Sequence, residues 1–291
     1  MDLTPPLLAD GSVRDALRRR LPRAQFTPET LNERNPALVQ DVHRDFLAAG
    51  AMLHRTNTQQ ANREVMAPLG LEERCEAMNN SGSALLAEVV GAEAIRMGSI
   101  GMIGADPTGA RPPRPQRERA YSEQLVYLSD TEVAFFLLEH VTDVEEALLV
   151  LRLAQHASDA PVLAQLQFGP DGRTADGRTA AEAAAALRDG GAEALGLCCT
   201  PPPGQAGGIL DALLATGLPV SYLPGILDEN SSPGDGRATG AMPWSPDPAA
   251  FAAAVAPWVA RGVAIVGGCC GVMPEHIAAL ANALGITPAK G

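Results

Sequence analysis

The chain has 291 residues, of which 46% are hydrophobic and 19% are charged. That is enough apolar material for the core of a globular protein, and it excludes a disordered or fibrous chain. With 22 basic residues against 34 acidic ones, the net charge is -12, which argues against a nucleic-acid partner because backbone binding needs a clustered positive surface.

The sequence gives no sign of a membrane partner or of export. No apolar run reaches the ~20 residues that a transmembrane helix needs. The first residues, Met1 to Gly11, lack the charged-then-apolar order of a secretory signal. We therefore expect a cytoplasmic protein.

Short apolar runs alternate along the chain with longer Ala- and Leu-rich segments of helical period, such as 144–155 and 179–188. This alternation is typical of parallel strands joined by crossover helices. Eight repeats predict an α/β fold, a single (β/α)8 TIM barrel domain over residues 1–291, with a doubly wound open sheet as the alternative. In chain order, the predicted strands are 7–9, 51–56, 94–103, 133–139, 161–167, 192–198, 218–223 and 262–267.

Two segments interrupt the alternation. Residues 105–119 are rich in proline and arginine, and residues 226–248 are rich in Gly, Ser, Asp and Pro. Strands and helices resume after each of them, so both are predicted to be long loops of one domain and not linkers.

The five cysteines are an odd number, and four of them form two adjacent pairs, Cys198-Cys199 and Cys269-Cys270. Disulfides rarely explain such pairs, so cysteine chemistry or metal binding is favoured over a disulfide scaffold. The fifth, Cys75, falls in a predicted helix over 71–88 and is interpreted as an ordinary helix residue.

Several predicted strands end in polar or metal-binding residues, and in a parallel barrel these strand ends gather at one face. The segment 267–271 (GGCCG) is the most informative. Adjacent side chains on a regular strand point to opposite faces, but the glycines permit positive φ and close backbone approach, so both thiols could turn to one point. A third thiol from the sixth strand would complete a three-cysteine zinc site with one open position. The alternative is a pair of small buried cysteines at a tight turn.

The segment 267–277 (GGCCGVMPEHI) resembles the C-terminal signature of the homocysteine S-methyltransferase family. Shorter matches occur in the expected order over nearly the whole chain, and only the GGCCG element is specific. They are 10–11 (DG), 43–50 (HRDFLAAG), 56–58 (TNT), 98–101 (GSIG), 138–139 (LE) and 196–202 (GLCCTPP).

The resemblance implies a zinc-dependent barrel that methylates the thiol of homocysteine to give methionine. It assigns the metal to Cys199, Cys269 and Cys270. Cys198 stands where the family usually has Asn, and strand alternation would let only one residue of that pair face the site. A metal-bound thiol is deprotonated, so homocysteine would react as a thiolate that needs orientation more than acid-base help, and we predict no catalytic acid or base.

The resemblance also implies a site for the substrate's charged groups. Glu139, with Asp10 as a second partner, would anchor the ammonium group, although either could be a solvated or helix-capping acid. Thr56, Asn57 and Ser99 would hold the carboxylate or shape the pocket. Two histidines nearby are given lesser roles, His140 as a hydrogen-bonding pocket residue and His276 as a structural residue of the following helix.

Two further segments, besides Cys198, depart from the family pattern. Arg14 and Asp15 replace Gly-Thr in the opening motif, and the seventh strand end at 222–225 lacks a Pro-Asn pair. A degenerate member that binds an amino-acid thiol or a metal without turnover is therefore the alternative function. A vicinal-thiol redox protein ranks lowest, because no Cys-x-x-Cys occurs. The candidate methyl donors are betaine, S-methylmethionine, S-adenosylmethionine and a corrinoid on a separate protein.

Overall fold

The structure is a computed structural model. It describes residues 6–22, 27–92, 94–104, 111–199, 203–226 and 247–287. Residues 105–110 and 227–246 of the two predicted loops lie outside the described residues, as do Thr200 to Pro202 of the sixth-strand motif. Within the described ranges, no helix is both long and apolar enough to cross a bilayer.

Eight parallel strands form one sheet in the order β1-β8-β7-β6-β5-β4-β3-β2. A parallel bridge between Ala9 and Leu53 joins the two outer strands, so the sheet closes into the predicted (β/α)8 barrel. Each predicted run overlaps one strand, and only β4 extends beyond its run, by two residues at the C-terminal end. The strands are β1 (Leu7–Leu8), β2 (Leu53–Arg55), β3 (Ile95–Gly101), β4 (Phe135–Val141), β5 (Val162–Leu166), β6 (Ala194–Cys198), β7 (Val220–Leu223) and β8 (Ile265–Val266).

Helices surround the barrel, and four short 3-10 segments accompany those in the described ranges. The helices predicted over 144–155 and 179–188 are confirmed, and the second begins at a capping box formed by Thr179 and Glu182. The helix predicted over 71–88 begins later, at Cys75, after a 3-10 segment. The helices are α1 (Val13–Arg20), α2 (Leu31–Arg34), α3 (Pro36–Ala48), α4 (Arg63–Met66), α5 (Cys75–Val90), α6 (Arg114–Ser129), α7 (Val144–Ala157), α8 (Ala180–Asp189), α9 (Pro203–Leu214), α10 (Pro248–Val255) and α11 (Pro274–Leu284).

The predicted loop over 105–119 is wrong at its C-terminal end, because α6 already begins at Arg114. Pro113 occupies the N-cap and Pro115 lies in the first turn. Proline is tolerated there because the first backbone N–H groups of a helix have no intrahelical partner. The prolines that suggested a loop therefore mark a helix start.

The buried side chains form an inner and an outer layer. The inner layer fills the barrel with residues such as Leu53, Leu137 and Leu163. It includes Cys198 and Cys269 at the C-terminal ends of the strands. The outer layer packs the strands against the helices. Side chains fill the barrel, so a site can form only where the strands end.

Candidate metal and substrate site

Four soft or borderline donors converge at the C-terminal ends of three strands. His140 lies at the end of β4, Cys199 directly follows β6, and Cys269 and Cys270 follow β8. One ligand atom from each lies within 4.8 Å of all the others. Three thiols and an imidazole are the donor types that bind zinc.

Irregular backbone aims two of these side chains at the cluster. His140 has φ 59° and Cys199 has φ 45°, the only positive values outside glycine in the described chain. The register of β4 against β5 also shifts between Leu138 and Val141, around His140. Strained conformations of this kind concentrate at functional sites. They allow Cys199 to reach the cluster although its neighbour Cys198 also points inward.

The glycines of the GGCCG turn provide both predicted properties, positive φ and close backbone approach, but at different positions. Only Gly271 has a positive φ, 75°. A Cβ on Gly267 would lie 2.7 Å from the carbonyl oxygen of Ala9, and one on Gly268 would lie 2.1 Å from a side-chain carbon of Val272. Gly267 and Gly268 are thus required for close packing, and Gly271 is required for the turn.

The three sulfur atoms are in mutual contact. Cys199 and Cys269 form a disulfide pair with Cα atoms 5.9 Å apart. The sulfur of Cys270 lies 3.1 Å from that of Cys199 and 3.8 Å from that of Cys269. Two thiolates bound at ~2.3 Å to one tetrahedral zinc lie ~3.8 Å apart, which is the separation of the Cys269 and Cys270 sulfurs. The Cys199–Cys269 disulfide must be reduced before all three cysteines can bind a metal. A disulfide would need only two of these cysteines, whereas a metal accounts for all three.

Burial raises the pKa of the Cys270 thiol to about 12. Without a cation this thiol is protonated at neutral pH, unlike the activated thiolates of redox proteins. Burial also lowers the pKa of His140 below its usual value.

The remaining two cysteines lie outside the cluster. Cys198 is buried in the barrel interior, and its thiol contacts the carbonyl oxygen of Gln165 at 3.7 Å. Cys75 is the first residue of α5 and packs with Met66 and Met78. The structure thus brings Cys199, and not Cys198, to the other thiols.

A buried arginine that sequence reasoning missed links the predicted ammonium anchors. Arg55 is 5% exposed, and its Nε donates to Asp10 Oδ1 at 2.8 Å. Its Nη1 donates to Glu139 Oε2 at 3.0 Å, and its Nη2 donates to the carbonyl oxygen of Gly268, also at 3.0 Å. Arg55 thereby joins the ends of β1, β4 and β8. Its place directly before the TNT segment could have drawn attention to it, but a lone arginine has no distinctive pattern.

The two carboxyl groups respond differently to this arginine. Burial raises the pKa of Asp10 above its usual value, more than Arg55 lowers it. Burial also acts upward on Glu139, but Arg55, His140 and the Ser99 hydroxyl together hold the pKa of Glu139 below its usual value. Glu139 is thus the better-stabilised anion of the pair.

Of the other predicted substrate residues, Ser99 lies in this network, because its hydroxyl donates to Glu139. The Thr56 hydroxyl bonds that of Thr58 and accepts from the Ser99 backbone N–H. Asn57 points elsewhere, since its amide donates to the Pro28 carbonyl and to Asn32. A substrate-binding role for all three stays a prediction.

His276 is in α11 and not in the cluster. Its Nδ1 accepts the backbone N–H of Met273 at the start of that helix. One departure from the family opening touches the site directly, because Asp15 accepts the backbone N–H of Gly271 at 2.8 Å.

The fold and the cluster define a class: a (β/α)8 barrel with a sulfur-rich metal-binding cluster at the strand ends, where enzymes of this fold keep their active sites. The family model described as homocysteine S-methyltransferase matches residues 7–284. The chain belongs to this family of methyltransferases.

Known relatives agree with that membership. A methionine synthase of Mycobacterium tuberculosis is 27% identical over 269 residues, covering 88% of this chain, and this chain spans only 22% of that protein. An S-methylmethionine–homocysteine S-methyltransferase of Mus musculus is 28% identical, covering 91% of this chain and 74% of its own length. The metallated form of an Escherichia coli homocysteine methyltransferase matches with a TM-score of 0.76 at 20% identity over 97% of both chains, which supports the fold.

Proposed function

We propose that this protein transfers a methyl group to the thiol of homocysteine, giving methionine, at a zinc site held by Cys199, Cys269 and Cys270. The observation that carries the proposal is the convergence of these three thiols, from two strand ends, with sulfur separations of at most 3.8 Å. Family membership supplies the reaction class. The zinc ion would keep the acceptor thiol deprotonated at neutral pH.

The chain's own residues bind and orient the acceptor. Glu139, which is buried in β4 directly before His140 of the cluster, would take the ammonium group, with Asp10 as a second partner. The acceptor sulfur forms a new bond to the methyl carbon while the bond from that carbon to the donor breaks, and its electron pair leaves with the donor. Holding sulfur and methyl in line is the main requirement.

A donor panel tests this function. Zinc-loaded, reduced protein should form methionine from homocysteine and one of four donors: S-methylmethionine, betaine, S-adenosylmethionine, or a methylated corrinoid protein. Product is measured by mass spectrometry, with a Cys270→Ala variant as the inactive control. If homocysteine binds but no donor yields methionine, the degenerate-member alternative replaces the enzyme.

Glu139→Gln should weaken homocysteine binding without removing zinc. The amide keeps the shape but loses the charge that would hold the ammonium, so affinity should fall by about 1.5–3 kcal/mol. The change is measured by titrating homocysteine against zinc- or cobalt-loaded protein. Glu146→Gln is the matched control, because Glu146 is an equally buried carboxylate that pairs with Arg117, outside the cluster. Unchanged affinity, or loss of zinc, would contradict the ammonium role.

The remaining expectations follow from the sequence. No nucleic-acid or membrane partner is proposed, and a cytoplasmic location stays a prediction. The single domain over 1–291 is likewise a proposal.

A further inference from the structure

His140 could play either of two roles toward a metal in this cluster. Its Nε2 lies 3.3 Å from the sulfurs of both Cys269 and Cys199, and 3.9 Å from that of Cys270. If Nε2 carries a lone pair, it is a fourth ligand and closes the site. If it carries a hydrogen, it donates to the sulfurs and leaves the fourth position open.

The contacts of the other ring nitrogen decide between these roles. Gln59 Nε2 lies 2.9 Å from His140 Nδ1. On the opposite side of the amide, Arg14 Nη2 donates to Gln59 Oε1 at 2.8 Å. Arginine can only donate, so the amide oxygen must face Arg14 and the amide nitrogen must face the imidazole. His140 Nδ1 therefore accepts, and in the neutral ring the hydrogen is on Nε2.

Gln59 and Arg14 are both held in place by further contacts. The backbone carbonyl of Gln59 accepts the backbone N–H of Gly101 at 2.7 Å. A Cβ on Gly101 would lie 2.8 Å from that same backbone oxygen, so the two segments pack closely. Arg14 is also 3.7 Å from buried Glu29, whose Oε1 accepts the backbone N–H of Gln60. The backbone of Gln59 and the side chain of Arg14 are thus held in place, and the hydrogen bond from Arg14 sets the orientation of the Gln59 amide.

We infer that Arg14 and Gln59 are positioning residues that fix His140 as an N–H donor to the cysteine sulfurs and so keep it from being a metal ligand. This inference rests on the proposed three-cysteine site and deepens it. Three thiolates on one Zn²⁺ carry a net charge of -1, which an N–H group directed at two of the sulfurs stabilises. The fourth position then remains available to the acceptor thiol. Arg14, a departure from the family opening, thereby acquires a function at the site.

The direct test reads the histidine tautomer. Nitrogen-15 NMR of histidine-labelled, zinc-loaded protein should show His140 protonated at Nε2, with its signals assigned by comparison with His140→Gln. X-ray absorption at zinc should show three sulfurs and no outer-shell scattering from imidazole. Imidazole scattering in the parent protein, or a hydrogen on Nδ1, would overturn the inference.

Gln59→Glu should switch the role of His140. A carboxylate cannot donate to Nδ1 but accepts from it, so the hydrogen moves to Nδ1 and Nε2 becomes free to bind zinc. Imidazole scattering should appear, and homocysteine affinity should fall, because the imidazole then occupies the position that the acceptor thiol needs. Activity should fall about 10- to 100-fold, the range typical of changes in the surroundings of a metal site. The control Gln60→Glu places the same charge on the next residue, and it should change neither the X-ray absorption at zinc nor the homocysteine affinity. If His140 keeps the parent tautomer in Gln59→Glu, Gln59 does not set the tautomer and the inference is wrong.

The tautomer is also measured in the reduced, metal-free protein. This separates the two proposals, because a parent protein that binds no zinc would refute the proposed function while the tautomer could still be read. In the metal-free protein, a hydrogen on Nε2 of His140 supports the positioning role of Arg14 and Gln59, and a hydrogen on Nδ1 refutes it.

Discussion

Replacing either Cys269 or Cys270 by alanine should abolish zinc retention, and Cys199→Ser should do the same. Each change removes one of three thiolates, and two thiolates with a neutral imidazole nearby form a much weaker site. The parent protein, purified under reducing conditions, should contain about one zinc per chain with a Zn–S shell near ~2.3 Å. Metal analysis and X-ray absorption measure both quantities.

Two cysteine variants serve as controls for the same experiment. Cys75→Ala should keep its zinc, because Cys75 packs in a separate apolar cluster with Met66 and Met78. Cys198→Asn, which installs the residue that the family usually has, should keep zinc and activity. If Cys198→Asn loses zinc while Cys199→Ser retains it, the ligand is Cys198 and our assignment within the pair is reversed.

Arg55→Met should destabilise the fold by about 3–5 kcal/mol, the cost typical of breaking a buried ion pair from one side. It leaves Asp10 and Glu139 buried without their cation and removes a donor from the Gly268 carbonyl. Urea unfolding under reducing conditions measures the loss. Arg44→Met is the matched control, since Arg44 pairs with Asp41 at the exposed surface and should change stability by less than ~1 kcal/mol.

The loss in Arg55→Met should also depend on pH. Without the guanidinium, the pKa values of both carboxyls rise above their unfolded values, so the folded state binds more protons than the unfolded one. Stability then falls as pH rises, and the difference from the parent should be larger at pH 8 than at pH 5. A loss that is equal at both pH values would mean that packing of the side chain, and not its charge, matters.

The sequence allowed the barrel and the GGCCG turn to be predicted because both depend on local signals, whereas Cys199 was chosen as the third thiol through the resemblance to the family. Apolar runs such as 161–167 report a buried strand through their own composition, and the glycines around Cys269 and Cys270 report a turn. The segment 105–119 was mispredicted in part for the same reason, since Pro113 and Pro115 are compatible with either a loop or a helix start.

By itself, therefore, the sequence predicted the eight strands and most of the helices between them, and the resemblance to the family assigned three thiols to a metal. Only the tertiary structure decided what surrounds those thiols. Arg55 reaches Glu139 and Gly268 across 84 and 213 residues of chain, and no local pattern encodes such contacts. His140 enters the cluster through a positive φ and a register shift in β4, which depend on the neighbouring strands.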